Sequence, residues 1–154
     1  ARTLAGRLVA RFGEPLATPW PALTHLFPTA AALADAAPEA LGALGIVRQR
    51  QGAILALARA VEAGELRLEP GAPLAPTLAQ LRALPGIGDW TAQYIAMRVL
   101  RWPDAFPAGD VALQSALGVR ASPHPARAAE AASHAWQPWR SYAVVRAWAR
   151  KPAP

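Results

Sequence analysis

The sequence of 154 residues has no cysteine. That excludes disulfides, a thiolate nucleophile, Cys-ligated zinc and a Cys-bound iron–sulfur cluster. Lysine is almost absent too: Lys151 is the only one, so side-chain amines are unavailable over the first 150 residues. No apolar run approaches the roughly 20 residues needed to span a bilayer. The N-terminal Ala-Arg-Thr-Leu has no signal-peptide pattern. Val, Ile and Thr together number only 18, against 39 Ala, a bias that favours helices over strands. The three histidines are scattered, and no His/Asp/Glu spacing suggests a catalytic metal.

Positive charge and apolar bulk are what the chain has. Sixteen basic residues, fifteen of them Arg, face ten acidic ones, for a net charge of +6 and a pI near 11.2. A basic domain of this size suits a polyanionic partner, most simply nucleic acid, although an Arg- and Ala-rich composition also follows from a GC-rich genome. With 53% apolar residues the chain can bury the core of one ordinary domain, residues 1–154.

Pro and Gly punctuate that domain into eight to ten short helices with no convincing strand, an all-α bundle. Leu4, Leu8, Val9 and Phe12 predict a helix over 1–12 that opens in mid-pattern without an N-cap, so an upstream turn is expected. Four prolines make 14–28 a loop. Short helices are predicted at 29–35 and from Pro38 to Gly42 or Gly45. A longer one at 46–63 has an apolar stripe of Ile46, Ile54, Leu57, Ala58 and Val61. After a Pro/Gly-rich loop at 65–76, helices follow at 77–84, 89–102, 110–117, 122–136 and 138–150. Asp110 is placed to cap the third of these.

The most informative stretch is a hairpin at 78–101. Two helices meet across Pro85-Gly86-Ile87-Gly88, and the second begins at Asp89 with Trp90 and Thr91. Small residues at 86 and 88 allow a partner close to the backbone. Free N–H groups at the second helix's start form an anion site that suits a phosphate without reading sequence. Gly placement alone would indicate no more than an ordinary helix–turn–helix connection.

The string Leu84-Pro85-Gly86-Ile87-Gly88-x-x-Thr91-Ala92, followed about 20 residues on by Phe106-Pro107-Ala108-Gly109-Asp110, resembles the helix–hairpin–helix DNA base-excision glycosylases. Trp136-Gln137-Pro138-Trp139-Arg140-Ser141-Tyr142-Ala143 is similar to the last helix of the 3-methyladenine DNA glycosylase II family. The resemblance runs from residue 1 to about 150. It implies an all-α helix–hairpin–helix domain that lacks that family's upstream mixed α/β domain, the start of its first helix and the DNA-wedging side chain.

The resemblance also implies roles. Asp110 becomes the catalytic carboxylate, stabilising an oxocarbenium-like transition state as a flipped nucleotide loses its base. Taken alone, Asp110 reads as a helix cap, and the two roles can coexist. Asp89 and Asp104 are weaker candidates for the carboxylate. Trp90 occupies the position where bifunctional relatives carry a Schiff-base lysine, which implies a monofunctional enzyme that leaves an abasic site. Trp90, Tyr94 and Trp148 match pocket-lining positions, where electron-rich rings would hold a cationic N-alkylated purine. Trp102, Trp136 and Trp139 read instead as core or loop packing. Where the family often adds a Tyr after the last Trp, this chain has Ala149.

Pro85, Gly86, Ile87, Gly88 and Thr91 would contact DNA, and Arg82, Arg98, Arg101, Arg140 and Arg146 are candidate phosphate ligands. The resemblance further implies a sodium or potassium ion on the backbone carbonyls of Arg82, Leu84 and Gly86 or Ile87, with no other cofactor. It also implies a monomer on double-stranded DNA with alkylated bases, away from membranes, in a bacterial cytoplasm at the nucleoid. The implied function is hydrolysis of the N-glycosidic bond of 3-methyladenine-type purines in base excision repair. The alternative is a non-catalytic DNA-binding module, such as part of an alkylation-response regulator fusion. An adenine- or 8-oxoguanine-excising branch is disfavoured by the missing Cys and Lys.

Overall fold

The computed structural model describes residues 2–149, so the expected helical residue at 150 and the lone Lys151 lie outside the described part. Among the described residues there are nine α-helices, a single 3₁₀ turn and no strand beyond one isolated bridge. The all-α architecture expected from the Ala-rich, β-branched-poor composition is present. Among the described residues no helix is long and apolar enough to cross a membrane. The chain divides into two compact units.

The first unit comprises the residues up to Arg67 together with Ala83–Gly86. It contains α1 (Arg2–Phe12), α2 (Ala30–Ala34), α3 (Pro38–Ala43) and α4 (Arg48–Glu62). Helices α2 and α3 pack on α4. Leu8, Leu33, Leu41, Ile46, Leu55 and Ala58 form the core, with Leu41 fully buried. The buried stripe of α4 is centred on Leu55 and Ala58, and Leu57 and Val61 are only half-buried. Thr29 caps α2 by accepting from the Ala32 amide at 3.1 Å. The proline-rich 14–28 segment is a loop, as predicted, but a tied one. Leu16 N–H donates to Thr24 O at 2.8 Å and Leu26 N–H to Glu14 O at 2.9 Å.

Gly86 belongs to this unit and has φ +79°, and a Cβ there would lie 2.9 Å from the Ala53 Cβ. Both the left-handed backbone and the close approach require glycine. This half of the Gly-x-Gly pair is fixed by the fold itself.

The second unit runs from Leu68 to Arg82 and from Ile87 onward. It holds most of α5 (Leu74–Ala83), then α6 (Asp89–Arg98), α7 (Val111–Ala116), α8 (Pro125–Ser133) and α9 (Arg140–Ala149). Helix α7 packs against α8 and α9. Leu81, Ala92, Ala96, Pro107, Leu113, Ala129 and Val144 are fully buried.

Several helix boundaries differ from the sequence expectation, by up to four residues, and three of the shifts have a local cause. Helix α5 starts at Leu74 rather than Thr77, because Pro76 falls in its first turn, where a missing N–H costs nothing. Helix α6 ends at Arg98 rather than Trp102. Arg101 adopts φ +56°, and the Trp102 amide closes back on Ala96 O at 2.9 Å. Helix α8 starts at Pro125 rather than Ser122, since a residue preceding proline is held out of the helical region and His124 has φ −130° and ψ 74°.

Candidate active site

The loop from Trp102 to Gly109 delivers Asp110 to the start of α7. Asp110 has extended backbone (φ −73°, ψ 119°), and its Oδ1 accepts from the Leu113 amide at 2.6 Å. The capping read from the sequence is therefore real. The same carboxylate also has a second set of partners. The Trp90 indole donates from Nε1 to Oδ2 at 2.7 Å. The Trp148 indole donates from Nε1 to Oδ1 at 3.0 Å. Helix α6 supplies one tryptophan and α9 the other, 20 and 38 residues from Asp110 in sequence.

Tyr94 completes the group. It lies one turn beyond Trp90 on α6, with ring centroids 5.2 Å apart and planes 9° from parallel. Its ring is also 6.0 Å from that of Trp148, tilted by 41°. Trp90 and Tyr94 are 43% and 37% exposed, so their rings form an open aromatic shelf beside a half-buried anion. Asp110, Trp90, Tyr94 and Trp148, the four residues assigned to the pocket, thus come together within this unit.

The carboxylate's environment settles its charge. Burial is the largest single influence and pushes its pKa up. The Trp148 indole, the Leu113 amide, the Trp90 indole and the Ala112 amide together outweigh it and hold the group below the usual aspartate value. Asp110 is ionised at neutral pH. Four donors address a carboxylate with about four lone-pair sites, so its oxygens are already occupied. Such an anion acts on a neighbouring positive charge through its field, and taking a proton from water would require one donor to leave.

The hairpin's second helix begins in the open. Gly88 flanks α6 without a side-chain cap bond, and nothing lies within 4 Å of a Cβ built there. Gly88, unlike Gly86, is not demanded by local packing. Pro85, Gly86 and Gly88 are exposed, while Ile87 and Thr91 are half-buried. Leu84 is half-buried in the turn after α5.

Several charged residues have other occupations than the sequence suggested. Arg82 pairs with Asp89, its Nε 2.9 Å and its Nη2 2.5 Å from Oδ1. The misplaced-looking anion at the start of α6 is thereby neutralised, and Arg82 is engaged. Arg140, a candidate phosphate ligand, is buried and bound to Asp104 and Glu130, which removes it from that list. Asp104, the weaker carboxylate candidate, is consumed by the same pair. Arg98, Arg101 and Arg146 are exposed. Trp102 and Trp136 are half-buried as packing residues. Trp139, assigned with them, is 59% exposed and lies 6.0 Å from the ring of an equally exposed Tyr142. Its position just before α9 leaves its ring outside the packed face. The indole–carboxylate bonds and the Arg140–Asp104 pair were not visible in the sequence, since neither has a local spacing signal.

Over 148 residues the chain is 44% identical to a probable bifunctional transcriptional activator/DNA repair enzyme of Mycobacterium tuberculosis, covering 96% of this chain and 29% of that protein. It is 34% identical to DNA-3-methyladenine glycosylase 2 of Escherichia coli, covering 96% of this chain and 50% of the other. The chain therefore spans half or less of the length of these relatives. In fold it matches the 3-methyladenine DNA-glycosylase of Archaeoglobus fulgidus with a TM-score of 0.75 at 24% identity, over 95% of this chain and 50% of that one. No family model matches the sequence.

Proposed function

We propose that this chain, related over 96% of its length to a DNA-3-methyladenine glycosylase, is the base-excising part of a monofunctional DNA N-glycosylase acting on alkylated purines. The observation that carries this reading is the ionised Asp110 carboxylate held by two indoles beside an aromatic shelf. A plain DNA clamp has no use for such a group. An extruded purine methylated on its ring is cationic. Trp90, Tyr94 and Trp148 offer it π faces, each contact worth about 0.5–2 kcal/mol. The bond between sugar C1′ and the purine nitrogen breaks, and its electron pair leaves with the base and cancels the base's charge. The positive charge left on the sugar lies against Asp110. Water adds at C1′ and releases a proton, leaving an abasic site.

The base is a good leaving group, so no strong general acid is required. Lys151 is the chain's only side-chain amine, and Trp90 stands where a Schiff-base lysine would be needed, which supports hydrolysis over lyase chemistry. The exposed start of α6, with open space at Gly88, supports a sequence-independent phosphate contact.

The test is incubation of this chain with methylated duplex DNA. Free 3-methyladenine and 7-methylguanine are then measured, along with strand breaks before and after alkali. Base release with breaks only after alkali is the expected result. DNA binding without release would favour the clamp, and breaks without alkali would contradict the monofunctional reading.

A further inference from the structure

The bond between Asp110 and Trp148 joins a loop to a helix, and its length depends on how the two are set against each other. That setting is fixed elsewhere. The first amides of helix α9 bond to the loop: Arg140 N–H to Asp104 Oδ1 at 3.3 Å and Ser141 N–H to Pro103 O at 2.8 Å. The Ser141 hydroxyl donates to Trp102 O at 2.7 Å and accepts from the Ala105 amide at 3.0 Å. The Arg140 guanidinium grips Asp104 with two bonds, Nε to Oδ1 and Nη2 to Oδ2, both 2.8 Å. Its Nη1 reaches Glu130 Oε1 on α8 at 2.7 Å. The guanidinium carbon also lies 5.6 Å from the centre of the Phe106 ring. The same loop is tied to α6 through the Phe106 amide and Gln93 Oε1 at 3.1 Å, three residues beyond Trp90.

We propose that the Arg140–Asp104 pair is a positioning device that sets the Asp110 carboxylate against the Trp148 indole. The proposal rests on the assignment of Asp110 as the catalytic carboxylate. Trp148 stands eight residues beyond Arg140 on the same helix, about 12 Å along its axis. Asp110 stands six residues beyond Asp104 on a loop whose Ala105, Phe106 and Pro107 are buried. Clamping the two segments at one end aligns the two functional groups at the other. A buried pair is a costly way to gain stability, since apolar residues of similar volume do as well or better. What the pair gives that apolar contacts do not is register: a planar fork on a carboxylate admits one alignment. Both partners are strongly held in their charged forms. The Arg140 side-chain bonds are the main cause of the depressed Asp104 pKa, and Asp104 raises that of Arg140.

The experiment uses Asp104→Asn and the double variant Asp104→Leu/Arg140→Met. The double variant removes both charges together, so no buried charge is left unpaired between them. Three quantities are measured: melting temperature, the single-turnover rate of base release, and the ¹H–¹⁵N resonance of the Trp148 indole N–H, assigned from a Trp148→Phe variant. The expected result is a cooperative melt and retained DNA binding, with release slowed on the order of 10²-fold. The Trp148 indole resonance moves upfield as its bond to the carboxylate loosens. A folded double variant with an unmoved indole resonance overturns the proposal whatever its rate. Loss of cooperative folding in both variants also overturns it, because the pair would then determine the fold. If wild type releases no base, the assignment of Asp110 fails, while the resonance still reports on the clamp.

Discussion

Asp110→Asn binds duplex DNA as wild type does and loses base excision, with the single-turnover rate falling about a thousandfold. A unit charge about 4 Å from a developing cation contributes about 4 kcal/mol at an effective dielectric near 20, which is about three decades in rate. Asparagine is chosen because it keeps the size of the side chain and the helix cap. Its side-chain oxygen still caps α7 through the Leu113 amide, since Asn and Asp are comparable N-caps. Only one oxygen remains for the two indoles, and the amide nitrogen cannot accept from the other. One bond of the pair from Trp90 and Trp148 is lost along with the charge. Single-turnover release from methylated DNA, compared with binding measured by fluorescence anisotropy, checks both halves. A variant that excised as fast as wild type would remove Asp110 from the chemistry.

Trp148 has two tasks, and two substitutions separate them. Trp148→Phe keeps an aromatic face and deletes the N–H that donates to Asp110 Oδ1. A depressed carboxylate pKa means that the active, ionised form persists above the folded-state value and is lost as pH falls through it. Removing a donor raises that value, so the acid limb of the rate profile moves to higher pH. The rate on the plateau falls about tenfold, the worth of one charge-assisted hydrogen bond. Trp148→Ala also removes the ring. Its additional loss from the cation–π contact is roughly 2- to 30-fold for a cationic base such as 7-methylguanine, so charged bases lose more than neutral ones. An unmoved acid limb in Trp148→Phe would mean that the indole does not act on Asp110. Equal losses on charged and neutral bases would remove the cation–π contribution.

Much of this was legible in the sequence because it is local. The helical spacing of Leu4, Leu8 and Phe12 and the glycines that close helices belong to short stretches whose rules do not depend on the rest of the chain. So do the Asp110 cap and the one-turn separation of Trp90 and Tyr94. Trp90, Tyr94 and Trp148 are singled out only by the family resemblance, since by local rules tryptophans in a helical bundle read as core. What the sequence did not show is long-range or set by competition. Arg140 reads as a surface cation until Asp104, 36 residues away, is placed against it. Arg82 reads as a phosphate ligand until Asp89 is found across the turn. Helix α6 ends earlier than its pattern suggests because nothing in Leu100-Arg101-Trp102 announces a left-handed residue at 101, a conformation usually taken by glycine. Trp139 reads as core or loop packing because tryptophan is usually covered, and the turn before α9 leaves it exposed.

The proposed function rests on one physical claim: a fixed, ionised carboxylate beside aromatic faces stabilises a positive charge on the sugar of an extruded nucleotide. The most direct measurement compares the affinity for duplex DNA carrying a cationic pyrrolidine at one abasic position with that for the same duplex carrying a neutral tetrahydrofuran. A site built for the charge binds the pyrrolidine duplex at least about 10²-fold more tightly. Asp110→Asn should bring the two affinities together. Equal affinity of the wild-type chain for the two duplexes would contradict the claim that Asp110 stabilises the developing cation.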